Sequence, residues 1–167
     1  FYCFKKNINR VPVEFFAIDT NVEKLSERNR KIQEKWVTDA LKNSRARWRI
    51  VYGHHPWKST GSHGNANNYF LNSLYNKIVE THKVDIILSG HDHDQQHIHI
   101  PNLPNLVISG TGSKVRSAPK IFRTNNPYLK FYSENLGCCI IEVSSTKLDI
   151  HFYNTSKKKE YSFKIQK

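Results

Sequence analysis

The sequence predicts a layered α/β fold, with a strand-rich C-terminal half that completes a second sheet packed on the first. Two observations predict this architecture. In the first half, short apolar runs typical of buried strands alternate with segments whose apolar residues recur at helical spacing. In the second half, short β-prone runs are separated by Pro, Gly and Asn turns, as in a sandwich of two sheets.

The first predicted strand covers residues 13–18 (VEFFAI) and ends at the polar pair Asp19 and Thr20. Residues 22–46 are rich in Glu, Lys, Arg, Gln and Leu, which are good helix formers. Apolar residues recur there at helical spacing, and they predict one buried face that is formed by Ile32, Trp36, Val37, Ala40 and Leu41.

The second predicted strand, residues 49–52 (RIVY), ends at Gly53, and the third, residues 84–88 (VDIIL), ends shortly before Gly90. Between them, helical spacing of apolar residues predicts a second helix over residues 68–81. The predicted apolar face of this helix consists of Phe70, Leu71, Leu74, Tyr75 and Ile78.

The C-terminal half is predicted to be mostly strand. The predicted strands cover residues 96–100, 106–109, 138–143, 148–153 and 161–165. Residues 114–126 are polar and predict a long loop. Cys138 and Cys139 are adjacent, so on a strand they point to opposite faces, which favours core packing over a redox pair. The odd count of three cysteines gives no disulfide framework.

The composition is that of a folded chain. Hydrophobic residues make up 38% of the 167 residues, which is enough to form a core. No apolar run approaches the length needed to cross a bilayer, so no transmembrane segment is predicted, and no charged-then-apolar leader opens the sequence. Because the chain contains no Met, we expect that a segment upstream of Phe1 is absent.

The chain is strongly basic, with a formal net charge of +12, and therefore attracts anions such as nucleic acids, acidic membrane surfaces or phosphorylated substrates. The basic residues are spread over several segments, which favours solvated basic faces over a dedicated polyanion site. No recognised nucleic-acid-binding motif accompanies the charge, so no specific nucleic-acid partner is expected.

Two glycine-histidine clusters carry the chemistry that the sequence predicts. GHHP at residues 53–56 and GHDH at residues 90–93 each follow a predicted strand. Ligand sites in α/β sheets form at the carboxyl ends of strands, so both clusters are placed to share one site. Histidine is the commonest metal ligand, and together the clusters predict a metal site that uses His54, His91 and His93.

The second cluster suggests how these side chains are arranged. His91 and His93 are separated by one residue, and in an extended segment their imidazoles face the same side. Asp92 then points away and can orient a histidine through a hydrogen bond. His63 lies in a Gly-flanked loop that suits a substrate-facing acid or hydrogen-bond donor. The remaining histidines are interpreted as surface or packing residues: His82, His97, His99 and His151.

These motifs carry a family resemblance. GHHPW at residues 53–57, SHG at 62–64 and GHDH at 90–93 occur in the order and approximate spacing of the purple acid phosphatases. FFAIDT at 15–20 and VISGTG at 107–112 resemble the strand before the long helix and the glycine-rich strand of that family. Over nearly its whole length the chain is similar to the small, tartrate-resistant type, within the calcineurin-like metallophosphoesterase superfamily.

The resemblance implies a four-layer α/β/β/α metallophosphoesterase sandwich, of which residues 1–167 are the C-terminal part of a single domain. It also implies a dinuclear metal centre that combines Fe with Fe, Zn or Mn. His54 and His91 match ligands of one metal, and His93 matches a ligand of the other, usually ferric iron. His63 matches a histidine that contacts the phosphate or protonates the leaving alcohol.

The implied function is hydrolysis of phosphate-ester substrates, as in an acid phosphatase acting on phosphate monoesters. The position of His55 varies in the family, so His55 is not counted as a ligand. The first half of such enzymes supplies further metal ligands that this chain lacks, so the isolated segment is expected to be inactive. The alternatives are a catalytically silent member that serves as a membrane-complex scaffold and a nucleotide phosphodiesterase of the same superfamily. The resemblance favours a secreted, lysosomal or periplasmic protein and leaves the oligomeric state open.

Overall fold

The computed structural model describes all 167 residues. Its strands are β1 (Tyr2–Ile8), β2 (Val11–Ala17), β3 (Trp48–Tyr52), β4 (Ile86–Ser89), β5 (Gln95–Ile98), β6 (Asn105–Ser109), β7 (Leu129–Ser133), β8 (Gly137–Val143), β9 (Lys147–Asn154) and β10 (Lys159–Gln166). Its helices are α1 (Glu27–Asn43), α2 (Tyr69–Val79) and the short α3 (Lys120–Thr124), with a 3₁₀ turn at Val22–Lys24.

The strands form two sheets. Seven of them make a mixed sheet in the order β1-β2-β3-β4-β6-β5-β7, in which β2, β3, β4 and β6 are parallel. The other three form an antiparallel sheet with β9 at its centre. In the large sheet Ala17 pairs with Tyr52, and Tyr52 pairs with Leu88. The carboxyl ends of β2, β3 and β4 therefore lie side by side.

The large sheet is covered on both faces. On one face a core of 14 buried residues joins the sheet to α1 and α2, and it includes the fully buried Val37 and Tyr75. On the other face a core of 10 buried residues joins it to the small sheet, and it includes the fully buried Trp48 and Phe152. The layers are thus helices, large sheet and small sheet. The predicted fold class is confirmed for the α/β/β layers that this chain contains.

The buried face of α1 differs in part from the prediction. Val37 and Leu41 are buried as expected, but Ile32 is 45% exposed, so its predicted burial is wrong. Gln33 is buried instead, because its side-chain amide accepts the backbone N–H of Asp19 at 2.7 Å and donates to the backbone C=O of Asp19 at 2.9 Å. These two bonds tie α1 to the loop that follows β2.

Sequence analysis missed three short elements. β1 is an edge strand with six of its seven residues exposed, and β7 is the opposite edge of the same sheet. α3 lies within residues 114–126, which were predicted to be loop throughout. The opposite-face prediction for the adjacent cysteines is confirmed, since Cys138 is exposed and Cys139 packs against the core between the sheets. No helix combines the length and apolar character that crossing a membrane requires.

Candidate active site

The candidate site lies at the carboxyl ends of the neighbouring parallel strands. The loop after β2 carries Thr20, the loop after β3 carries His54 and His55, and the loop after β4 carries His91. The backbone N–H of Gly90 donates to the C=O of His54 at 3.1 Å and joins two of these loops. The two glycine-histidine turns are therefore adjacent in space, as the sequence predicts.

Three imidazoles form a cluster at this point. The possible ligand atoms of His54, His55 and His91 all lie within 4.8 Å of one another, and Nδ1 of His91 is 3.0 Å from Nε2 of His54. The ring of His63 lies beside them, with its centroid 4.2 Å from that of His91. Burial, together with the neighbouring histidines, lowers the pKa of His91 to about 4. His91 therefore stays neutral, which is the metal-binding form of histidine, in mildly acidic solution.

The hydroxyl group of Thr20 holds both histidines of the first turn. Its oxygen accepts the backbone N–H of His54 at 3.2 Å and that of His55 at 2.9 Å. Because these bonds occupy both lone pairs, the hydroxyl proton is donated to Nδ1 of His55, 3.0 Å away. His55 then carries its own proton on Nε2. In this arrangement His55 is a hydrogen-bond donor, although it lies within the cluster.

The segment around His91 is not extended, so the geometric argument made from the sequence is wrong at this point. Residues 91–94 form consecutive bends, and the φ angle of His91 is +63°. The alternation of a strand therefore does not place His91 and His93 on one side. His93 lies outside the three-histidine cluster, and its Nδ1 atom is buried without a hydrogen-bond partner.

Asp92 orients His63 from beneath the site. Its Oδ1 atom accepts a hydrogen bond from Nδ1 of His63 at 2.7 Å and another from the backbone N–H of His63 at 3.0 Å. The side chain of Asp92 is fully buried, whereas that of His63 is 38% exposed. The sequence predicted that Asp92 orients a histidine, and the structure identifies that histidine as His63.

A buried polar network supports the loop in which this histidine lies. The hydroxyl of Ser59 donates to Oδ2 of Asp92, and Nε2 of Gln96 donates to the Ser59 hydroxyl at 3.0 Å and to Oδ1 of Asp94 at 2.8 Å. Burial raises the pKa of Asp94 to about 7. Gly61 packs directly on both carboxylates, because a Cβ atom there would lie 2.4 Å from Cγ of Asp92 and 2.6 Å from Oδ2 of Asp94.

Arg116 is a site residue that sequence analysis did not single out. Its Nη1 atom donates to Nε2 of His63 at 2.9 Å, and its backbone N–H donates to the C=O of His93 at 3.0 Å. Because Nδ1 of His63 donates to Asp92, this arrangement holds His63 as a neutral imidazole whose Nε2 accepts from the guanidinium. A proton-donating role for His63 needs a proton on Nε2, so the contact with Arg116 must open first.

A cavity of about 200 Å³ opens beside the cluster, next to the 3₁₀ turn Val22–Lys24. His55, His63 and His91 contribute to its lining. Other polar side chains of the lining include Asn21, Asn65, Asn67 and Asn68. A ligand in this cavity would therefore contact three of the four neighbouring imidazoles.

The fold and the position of this site define the class of protein. Residues 4–95, which include both glycine-histidine turns, match the calcineurin-like phosphoesterase family. The matched segment covers more than half of the chain, and the chain belongs to this family.

Individual relatives narrow the comparison further. The chain is 37% identical to purple acid phosphatase 4 of Arabidopsis thaliana over 117 residues. This match covers 70% of this chain and 34% of that protein. The chain is 28% identical to tartrate-resistant acid phosphatase type 5 of Sus scrofa, over 97% of this chain and 53% of that protein.

One solved structure is similar over almost the whole chain. It is GAP50, described as the anchor in the inner membrane complex of Plasmodium, with a TM-score of 0.77 at 23% identity. The match covers 99% of this chain and 53% of that structure, and it shows a shared fold. The chain spans between about a third and a half of the length of these three proteins.

Proposed function

We propose that this chain is the C-terminal part of a single phosphoesterase domain that hydrolyses phosphate monoesters at a dinuclear metal centre, as an acid phosphatase. The observation that carries the proposal is the 3.0 Å approach of Nε2 of His54 to Nδ1 of His91, on loops that follow neighbouring parallel strands. Relatives named as purple and tartrate-resistant acid phosphatases support the reaction. The remaining metal ligands are assigned to an N-terminal half.

The residues present fit a metal. Nε2 of His54 and Nδ1 of His91 are 3.0 Å apart, so one ion could be held by both nitrogens. His93, whose buried Nδ1 atom has no partner, is proposed as a ligand of the second metal. The resemblance to purple acid phosphatases is the basis for proposing Fe with Fe, Zn or Mn, and imidazole ligands are compatible with iron and zinc.

Such a metal pair, when bound, neutralises phosphate charge and supplies a hydroxide nucleophile at low pH. The contribution of this chain to the leaving group is His63, which lines the cavity and is oriented by Asp92. Histidine becomes charged in acid. A proton on Nε2 of His63 is then donated to the departing alkoxide once the contact with Arg116 has opened.

The test uses the full-length polypeptide, including its N-terminal half. Hydrolysis of an aryl phosphate is measured from acid to neutral pH, and bound metal is measured on the same samples. We expect the wild type to be active in acid, and we expect His91→Ala to lose metal and activity together. His99→Ala is the matched control, because His99 is exposed and lies on the same stretch of chain. A His91→Ala protein that keeps full metal and activity would contradict the assignment.

The same assay separates the two alternatives. A metal-replete wild type without activity favours a silent scaffold; the likeness to GAP50 shows only the fold and does not favour it by itself. Faster hydrolysis of a diester such as bis(p-nitrophenyl) phosphate than of the monoester indicates a phosphodiesterase instead.

A secreted, lysosomal or periplasmic location is part of this proposal. Asn154, Thr155 and Ser156 form a glycosylation sequon, which is used only in a secretory pathway. The side chain of Asn154 is already engaged: it accepts the backbone N–H of Ser156 at 3.0 Å and donates to Glu160 at 3.0 Å. A glycan on Asn154 would compete with the Glu160 contact. The mass of the protein before and after glycosidase treatment tests whether a glycan is attached.

A further inference from the structure

Arg116 contacts two parts of the candidate site, the turn that contains His93 and the side chain of His63. Its backbone N–H is bonded to the C=O of His93, and its guanidinium is bonded to Nε2 of His63. The first bond anchors the loop after β6 to the turn that carries the proposed metal ligands. The second places a fixed positive charge against the histidine that is proposed to face the leaving group.

The guanidinium of Arg116 has no anionic partner. The other arginine side chains that form hydrogen bonds do so with backbone carbonyl groups, or in one case with a carboxylate; they are Arg30, Arg47, Arg49 and Arg123. The single side-chain hydrogen bond of Arg116 goes to a neutral imidazole nitrogen, and no carboxylate lies within salt-bridge distance of it. A guanidinium offers five donors and binds anionic oxygens more strongly than neutral acceptors. The charge of Arg116 is therefore available to an anionic ligand.

The nearest carboxylate along this part of the chain is already occupied. Glu134 accepts hydrogen bonds from Ser117 at 2.6 Å, from Tyr132 at 2.9 Å and from Arg123 at 3.0 Å. Arg123 therefore satisfies Glu134, and Arg116 is left on the side of the loop that faces His63. Arg123 therefore has a structural carboxylate partner, whereas the guanidinium of Arg116 is available to a ligand.

The order of groups fixes which part of a substrate Arg116 can contact. His63 lies between the proposed metal ligand His91, with ring centroids 4.2 Å apart, and the guanidinium of Arg116 on its Nε2 atom. In the proposed function, His63 faces the leaving group of a phosphoryl group that is held at the metal ligands. An anionic substituent on that leaving group is then the part of the substrate that meets Arg116.

We propose that Arg116 is a specificity-determining residue that binds negative charge on the leaving group, so that substrates with an anionic leaving group, such as inorganic pyrophosphate, are favoured over esters of uncharged alcohols. The inference rests on the proposed function. In the reaction with pyrophosphate, the oxygen of water forms the new bond to one phosphorus and the bridging P–O bond breaks. The two protons of water end on the two orthophosphates, one on each.

The test compares two substrates in the full-length, metal-loaded protein. The value of kcat/KM is measured for pyrophosphate and for p-nitrophenyl phosphate in the wild type, Arg116→Ala and Arg116→Lys. We expect Arg116→Ala to lower the pyrophosphate-to-aryl ratio roughly 10- to 100-fold, as loss of a charged hydrogen bond does. Arg116→Lys keeps the positive charge but lacks the planar N–H donors of the guanidinium, so we expect its ratio to lie between those of the wild type and Arg116→Ala. Lys114→Ala removes an exposed charge from the same loop and is expected to leave the ratio unchanged.

A second measurement does not depend on turnover. Calorimetry gives the affinity of the same proteins for imidodiphosphate, a pyrophosphate analogue with a nitrogen bridge, and for orthophosphate. We expect Arg116→Ala to weaken imidodiphosphate binding more than orthophosphate binding. The inference is overturned if Arg116→Ala leaves both the ratio of kcat/KM values and the ratio of affinities unchanged. This includes the case in which the variant weakens the two substrates, or the two ligands, equally. If the wild type hydrolyses neither substrate, the proposed function fails, and the binding comparison alone decides the role of Arg116.

Discussion

Nδ1 of His63 donates a hydrogen bond of 2.7 Å to Oδ1 of Asp92, and the two residues lie 29 positions apart in the chain. The acceptor is fully buried, and it lies between the two histidines proposed as ligands of different metals. One carboxylate thus sets the orientation of a surface imidazole from within the turn that carries the proposed metal ligands. The position of His63 and the conformation of that turn are therefore coupled.

Asp92→Asn tests this coupling. The amide oxygen still accepts from His63, but without the negative charge, so we expect kcat to fall about tenfold while bound metal is retained. A double-mutant cycle with His63→Ala gives the decisive comparison. If Asp92 acts through His63, Asp92→Asn has little further effect on kcat when His63 is absent. Additive losses in the double mutant would show that Asp92 acts on something else.

Gly61→Ala tests the close packing of this loop on the buried carboxylates. The added Cβ atom meets Cγ of Asp92 at 2.4 Å and Oδ2 of Asp94 at 2.6 Å, so the loop must shift. We expect the free energy of unfolding, measured by urea denaturation, to fall by about 1–3 kcal/mol. Gly112→Ala is the matched control, since a Cβ atom at Gly112 meets nothing within 4 Å. Equal stability of the two variants would contradict the packing argument.

Thr20→Val removes the hydroxyl group that holds the first glycine-histidine turn. The backbone N–H groups of His54 and His55 lose their acceptor, and Nδ1 of His55 loses its donor. We expect a loss of about 1–3 kcal/mol in unfolding free energy and weaker metal binding. Thr20→Ser keeps the hydroxyl group, and it should retain metal affinity close to that of the wild type. Metal affinity that is equal in the Val and Ser variants would remove Thr20 from the site.

The burial of His97 leads us to expect that the protein loses stability in acid. His97 is 4% exposed and stacks on Phe163 with ring centroids 3.6 Å apart. Its Nε2 atom donates to Oδ1 of Asn105 at 2.9 Å, and its Nδ1 atom accepts from the hydroxyl of Tyr161 at 3.0 Å. Burial lowers the pKa of His97 to about 4; His99 and Lys130 act in the same direction, and the hydrogen bond with Asn105 opposes them. The unfolded chain therefore binds a proton near pH 6.5, whereas the folded chain binds it only near pH 4.

The contribution of neutral His97 to the free energy of unfolding is accordingly complete above pH 6.5, and it declines as the pH falls toward 4. The decline amounts to roughly 3 kcal/mol over this range. Urea denaturation at several pH values measures it, and His97→Gln should flatten the pH dependence while lowering stability at neutral pH. His82→Asn, which changes an exposed histidine that makes no contact with His97 and keeps a residue tolerant of positive φ, should leave the slope unchanged. A slope that is identical in wild type and His97→Gln refutes the assignment.

The parallel core and the adjacency of the two histidine turns could be predicted from the sequence. Buried parallel strands leave continuous apolar runs, and each of these runs ends directly before a polar or glycine-histidine turn. Once β3 and β4 are neighbours, Tyr52 pairs with Leu88, and the turns after them must meet. The proposed metal ligands His54 and His91 were therefore visible without coordinates.

The first hairpin could not be predicted in the same way. β1 has almost no buried residues, and the turn to β2 consists of Asn9 and Arg10, with φ angles of 51° and 66°. Two consecutive left-handed residues are typical of a type I′ turn, but Gly usually occupies the second position. Without that signal, only pairing with the edge of the sheet defines β1.

Two residues that escaped prediction, one in the site and one in a helix, act through contacts with other parts of the chain. Arg116 is one of 26 basic residues and lies in a polar loop, so nothing local separates it from a solvated surface charge. Gln33 interrupts an apolar helix face, because the backbone of Asp19 needs its amide group. In both cases the partner is supplied by the fold, and hydrophobic periodicity carries no information about it.

The core on the helix side of the large sheet reaches the loops that carry the candidate site, because Ile18, Val22 and Trp57 belong to it. The segment after β6 that carries Arg116 is held by the buried residues Thr111 and Ala118, whereas Gly112, Ser113 and Lys114 between them are exposed. Engineering of this segment is therefore best confined to residues 112–114, so that Thr111 and Ala118 keep their packing.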